Sequence, residues 1–262
     1  MSKDIPVLFL GHGSPMIALE DNKLTNNFKK IGKIIMDEYK PKAVLSISAH
    51  WFKLSNKIQS AENPKQIYDF SGFPKELSEV KYEPKGSSDL TDKVVDILKD
   101  EVEIDDSWGI DHGTWTVLKH LFPSAKLPVV QLSVNRAYTF EEMYKLGKRL
   151  ISLRKDFLVI GSGNIVHNLY KTDLSVNGGS DQTKSFDSYI EELIKNQDYE
   201  NLSKIKNHPD YKYAVNYRDH FSPLAYILGL SNKDKALIFN KAYDLSSISM
   251  TSYAFGLDFD QI

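Results

Sequence analysis

The stretch PVLFLGHGSPM, residues 6–16, decides the reading of the chain. Its first five residues are a continuous apolar run, the pattern of a strand buried on both faces rather than of a half-exposed strand, which alternates. The glycine, histidine and glycine that follow make a bare turn with an imidazole at its tip, and Ser14-Pro15 turns the chain away. Four further runs share the pattern: AVLSIS (43–48), PVVQLSV (128–134), FLVIGS (157–162) and KALIFN (235–240).

Helical spacing fills much of the space between these runs. Residues 22–38 place Leu24, Phe28, Ile31 and Ile35 on one face, and residues 88–99 open with Ser88 and carry Leu90, Val94, Ile97 and Leu98. Residues 140–154 repeat the spacing with Phe140, Met143, Leu146, Leu150 and Ile151. Strands alternating with helices predict an α/β protein, with helices on both faces of a mixed, largely parallel sheet. No linker, repeat or low-complexity segment divides the chain, so residues 1–262 read as a single domain. Residues 52–87, punctuated by Pro64, Pro74 and Pro84, read as a long ordered loop with small elements, a common carrier of binding groups.

Composition narrows the chemistry. With 33 Lys and Arg against 35 Asp and Glu, and no charge run, nucleic acid and anionic membranes are not expected partners. The absence of cysteine excludes disulfides, thiolate metal sites and a cysteine nucleophile, so any metal must sit on His, Asp or Glu. The N-terminal apolar run is too short for a secretion signal or a membrane span, and the expected location is the cytoplasm.

The seven histidines carry the strongest signal through their positions. His12, His50 and His167 each fall just past the C-terminal end of an expected strand, the edge at which open α/β sheets bind ligands. His220 precedes the expected helix SPLAYILG, and His112 lies in DHGTW between Trp108 and Trp115. A lone loop histidine is more often hydrogen-bonded than a ligand; His120 fits that role within a helix, and His208 in KNHPD reads as an exposed turn residue. Tyr68, Phe70 and Phe73 read equally as core or as pocket wall. There is no G-x-G-x-x-G, G-x-S-x-G, H-E-x-x-H or P-loop signature.

Taken together and in order, FLGHGSPM, SAHWF, DHGTW, VVQLSV, GSGNIVHNL and DHFSPL resemble the LigB-like, class III extradiol ring-cleavage dioxygenases, most closely the 4,5-DOPA extradiol dioxygenase branch. The resemblance runs from residue 9 to about 228 and implies a three-layer α/β/α domain that cleaves a catechol with O2 to a semialdehyde. It implies metal ligation by His12, His50 and His220, the last standing where protocatechuate-cleaving members carry glutamate. His167 matches an acid/base histidine beside the metal, or one that itself reaches a bound zinc. His112 matches a pocket histidine that contacts substrate, and Ser14, Trp51 and Trp115 are expected to line the pocket. Fe(II) is the expected working metal because triplet dioxygen needs a redox-active partner, with Zn(II) a possible occupant of the same imidazoles. A zinc-dependent hydrolase with Asp111 as candidate base and a non-catalytic, Memo-type binding protein are the alternatives. The expected partners are a small catechol and O2, on a monomer or small homo-oligomer. Arg136 and Arg218 are the candidates for holding a substrate carboxylate.

Overall fold

The computed structural model describes residues 3–173, 175–176 and 178–257; the expected domain, 1–262, also includes positions outside these. The strands are β1 (Val7–Gly11), β2 (Val44–Lys53), β3 (Asn56–Ile58), β4 (Val102–Ile104), β5 (Val129–Asn135), β6 (Leu158–Gly163), β7 (Ala236–Phe239), β8 (Tyr243–Asp244), β9 (Ile248–Ser249) and β10 (Ser252–Phe255). The helices are α1 (Lys23–Ile34), α2 (Lys75–Glu79), α3 (Ser88–Leu98), α4 (His112–Leu121), α5 (Phe140–Arg149), α6 (Asp181–Lys195), α7 (Tyr211–Ala214) and α8 (Ser222–Leu230).

Among the described residues, eight strands form one mixed sheet in the order β4-β3-β5-β2-β6-β1-β10-β7, and β8 and β9 pair separately. The central β5-β2-β6-β1 block is parallel. β10 pairs antiparallel with both β1 and β7, and β3 antiparallel with β5. This is the expected α/β fold. The continuous apolar runs are explained by the period of two: Val7 and Phe9 join one core with Leu45, Ile47, Val130, Leu132 and Val159, while Leu8 and Leu10 join a second with Val44, Val129, Leu158 and Ile160. α3, α5, α6 and α8 contribute to the first core, and α1 and α4 to the second, giving three layers.

The helix boundaries differ from the expected ones for local reasons. α1 starts at a capping box in which Asn22 Oδ1 accepts from Leu24 N and Thr25 N while Thr25 Oγ1 accepts from Asn22 N. After Ile34 the helix widens into a π turn, Ile35–Tyr39, and stops at Lys40, which takes φ 50°. Ser87, rather than Ser88, caps α3 by accepting from Leu90 N. α5 ends at Arg149 and tightens into a 3-10 turn, Leu150–Lys155. Residues 52–87 contain β3 and α2, small elements within a long connection. No helix among the described residues is long and apolar enough to cross a membrane.

α5 and α8 meet through two glycines. A Cβ on Gly147 would collide with the Tyr226 carbonyl oxygen, and one on Gly229 with that of Tyr144, so main chain packs directly on main chain. Two helix backbones cannot separate locally without disturbing the core beneath them. Gly147→Ala is therefore expected to destabilise the protein by about 1–3 kcal/mol despite its better helix propensity. A shift of the urea midpoint to lower concentration checks this; an unchanged or higher midpoint would contradict the packing argument.

Candidate metal centre

Three separate segments carry imidazoles to the C-terminal edge of the parallel strands. β1 ends at Gly11, and His12 N continues the ladder by donating to Gly163 O at 3.2 Å. Gly13 adopts φ 60°, which carries the chain out of the strand without a side chain in the way. Ser14 Oγ accepts from Met16 N and starts the following 3-10 turn. His50 was expected just past its strand; instead β2 continues to Lys53, with a break in register between Ser48 and Phe52. Such an irregularity re-aims a side chain within a strand. His220 lies two residues before α8, and its carbonyl accepts from Asn164 N at 2.9 Å, seating it on the end of β6.

The three rings form a nearly equilateral set, with centroids 5.1 Å apart for His12 and His50, 5.2 Å for His12 and His220, and 5.0 Å for His50 and His220. One ring nitrogen from each falls within 4.8 Å of the others. His12 Nε2 and His50 Nε2 approach to 3.2 Å.

The outer contacts of His12 and His50 favour one tautomer of each ring. His12 Nδ1 lies 2.9 Å from Ser162 Oγ, whose own proton is donated to Gly113 O at 2.5 Å. The serine oxygen is thus the acceptor, and His12 keeps its proton on Nδ1. His50 Nδ1 lies 3.2 Å from Asp69 Oδ2, and a carboxylate likewise holds the proton on the facing nitrogen. Both Nε2 atoms then present lone pairs to each other across 3.2 Å, an arrangement that favours a cation against both. His220 Nδ1 is buried without a hydrogen bond among the described residues; Asp219 Oδ1 lies 3.0 Å away but out of line. Converging unprotonated imidazole nitrogens fit a divalent transition metal.

Electrostatics favour the unprotonated state at His12 and His220. Burial, reinforced by the neighbouring histidines, holds His12 and His220 well below the ordinary imidazole value. Burial alone would also lower His50, but Asp69, with Asp111 and Asp219 behind it, raises it. Burial of Asp69 is outweighed by His112 and His50, which keep its carboxyl well below the usual carboxylate range.

His167 lies outside the three-histidine group, with its ring stacked on His220 at 3.5 Å and 4° between planes. Where the acid/base role suggests a side chain titrating near neutrality, burial pushes His167 down to about 4, leaving a neutral ring that is a weaker base than an exposed imidazole. His112 opens α4 behind its cap Asp111, and its Nδ1 lies 2.9 Å from Asp69 Oδ1. Ser14, His50, His112, His167 and His220 all line one cavity of about 340 Å3. Its remaining wall is largely apolar, with Phe70, Phe73, Leu169, Leu245 and Ile248.

Trp51 and Trp115 are buried but do not line that cavity. Trp115 donates from Nε1 to Ile67 O and packs its ring behind Tyr68 and Phe70, supporting the wall from the rear. Asp111 caps α4 and accepts from Ser48 Oγ, Trp108 Nε1 and Gln131 Nε2, which commits the candidate hydrolytic base to structure. Arg218 donates to the carbonyls of Tyr138 and Arg136, so its guanidinium is occupied by main chain. His120 is a core residue 2.7 Å from Ile17 O. His208, expected exposed, is half-buried because its ring packs 4.6 Å from that of Tyr189. The residue that sequence reasoning missed is Asp69, which reaches His50 and His112 from the long loop. Its only local signal is its position among aromatic residues in YDFSGF.

Comparison with known proteins matches nearly the whole chain. The profile described as "Catalytic LigB subunit of aromatic ring-opening dioxygenase" matches residues 6–256. The Escherichia coli (strain K12) protein named 4,5-DOPA dioxygenase extradiol is 34% identical, the match covering 97% of this chain and 96% of that protein. A protein of the same name from Beta vulgaris is 34% identical over 94% of this chain and 95% of its own. The crystal structure of an uncharacterized Escherichia coli K12 protein superposes with a TM-score of 0.81 at 29% identity, covering 96% of this chain and 99% of that one. The chain belongs to the LigB family of aromatic ring-opening dioxygenases.

Proposed function

We propose that this chain is an Fe(II)-dependent extradiol dioxygenase that opens a catechol ring next to its diol and places both atoms of O2 in a yellow muconic semialdehyde. The observation that carries the reading is the convergence of His12 and His50 Nε2 lone pairs beside His220, with His50 and His220 lining a cavity of largely apolar walls. His12, His50 and His220 would hold the ion. Bound there, Fe(II) would lower the pKa of the catechol hydroxyls and let triplet dioxygen react with a singlet ring, whereas redox-inert zinc on the same imidazoles would supply only the first effect.

The protein's own residues do the rest. His167 lines the cavity beside His220, where its ring would take a proton from a metal-acidified catechol hydroxyl and return it as the ring opens. His112, on the same wall, offers a hydrogen bond to the bound diol. Phe70, Phe73, Leu245 and Ile248 flank the aromatic ring and limit water around it. DOPA, the catechol named for the relatives, is the first substrate to test, because its ring-opened product can cyclise.

The direct test is anaerobic loading with Fe(II), then addition of DOPA and simpler catechols in air, following oxygen uptake and visible absorbance. Oxygen consumption with a yellow product is expected; none with any catechol would overturn the reading. His167→Gln is expected to bind metal as the parent does yet lose about 10²–10⁴-fold in kcat, as for removal of a general base. A variant retaining parental kcat would remove His167 from the proton path.

A further inference from the structure

Asp69 makes three contacts with its two carboxylate oxygens. Oδ2 lies 3.2 Å from His50 Nδ1; Oδ1 lies 2.9 Å from His112 Nδ1 and accepts from the backbone N–H of His112 at 3.0 Å. That N–H belongs to the first turn of α4, where a negative charge is favoured. One carboxylate is thus shared by a candidate metal ligand and by a cavity histidine outside the ligand set.

A carboxylate only accepts, so it favours the proton on the facing Nδ1 of His50 and leaves Nε2 of that ring free of one. For His50 this is the nitrogen 3.2 Å from His12 Nε2. For His112 the aligned hydrogen bond comes from its backbone N–H, and Nδ1 of the ring rests 2.9 Å from the same oxygen out of line, so Asp69 sets the place of this residue on the cavity wall. Asp69 is also chained to the cavity wall, because Phe70, Ser71 and Phe73 follow it and line the same cavity. The preceding part of the loop is tied to α4 and its approach through Ile67, whose N–H donates to Ile110 O and whose carbonyl accepts from Trp115 Nε1.

We propose that Asp69 is a positioning residue that acts through two histidines at once: it orients His50 for the metal and His112 for the substrate, and so couples metal affinity to the seating of the aromatic loop. His50, Asp69 and His112 are also close enough to form a ligand group of their own, and the test separates that arrangement from positioning.

The experiment compares the parent with D69N and D69A, titrating metal-free protein with Zn(II), and with Fe(II) under anaerobic conditions, against a chromophoric chelator. Asn fills the same volume but accepts at only one atom, so a role in packing alone would leave D69N at parental affinity. The expected result is one ion per chain in every protein, with a dissociation constant raised about 10–100-fold in both variants. D69E, which keeps both acceptor oxygens, should recover part of the loss. Parental affinity in D69N and D69A would overturn the proposal. So would a parent that binds two ions and a D69N variant that binds one, since Asp69 would then be a ligand.

The second arm rests on the catechol reading. D69N should raise KM for a catechol about tenfold in the parent but not further in an H112A background, where the residue it positions is gone. An equal rise in both backgrounds would overturn the link to His112. If no catechol is cleaved by the parent, the catechol reading fails while the chelator titration still decides the role of Asp69.

Discussion

The architecture of the site depends on two buried imidazole nitrogens, His12 Nε2 and His50 Nε2, held 3.2 Å apart with their lone pairs facing. Such a pair repels unless a cation lies against it, and the protein holds both rings in place from behind. Ser162 Oγ, pinned by Gly113 O, takes the far side of His12, and Asp69 takes the far side of His50. Each outer contact therefore does more than fill space: it prevents the ring from relieving the repulsion by moving its proton to Nε2.

The parallel sheet makes that placement possible. β1 and β2 flank β6, and the turn after β1 and the irregular end of β2 direct their histidines to the same edge. The end of β6 supplies Ser162 against one ring and Asn164 beneath His220. The two cores on opposite faces of the sheet fix these strand ends, so the imidazoles are positioned by the most buried part of the molecule. The rest of the cavity wall is built differently, from the loop bearing Asp69, Phe70 and Phe73 and from Leu245 and Ile248.

This division explains what the sequence discloses. The four parallel strands are legible as continuous aliphatic runs because they are buried on both faces, and His12 and His167 are legible because they follow such runs directly. His50 is legible in kind but not in detail: the register break that keeps it inside β2 depends on pairing with β5. β10, with the mixed sequence SYAF, lacks an aliphatic run and is defined by its antiparallel neighbours β1 and β7. Asp69 lies in a stretch without periodicity, and its role comes from contacts with His50 and with His112, more than forty residues further along the chain. Trp115 shows the reverse: a tryptophan next to a histidine motif suggests a pocket wall, yet its ring stands one layer behind Phe70.

The central claim is that a metal ion sits against His12, His50 and His220. The most direct measurement is anomalous scattering at the iron edge from crystals loaded with Fe(II) without oxygen. The account predicts one peak in contact with Nε2 of His12 and of His50 and with a ring nitrogen of His220. A peak held instead by His50, Asp69 and His112, or no peak at full iron loading, would contradict it.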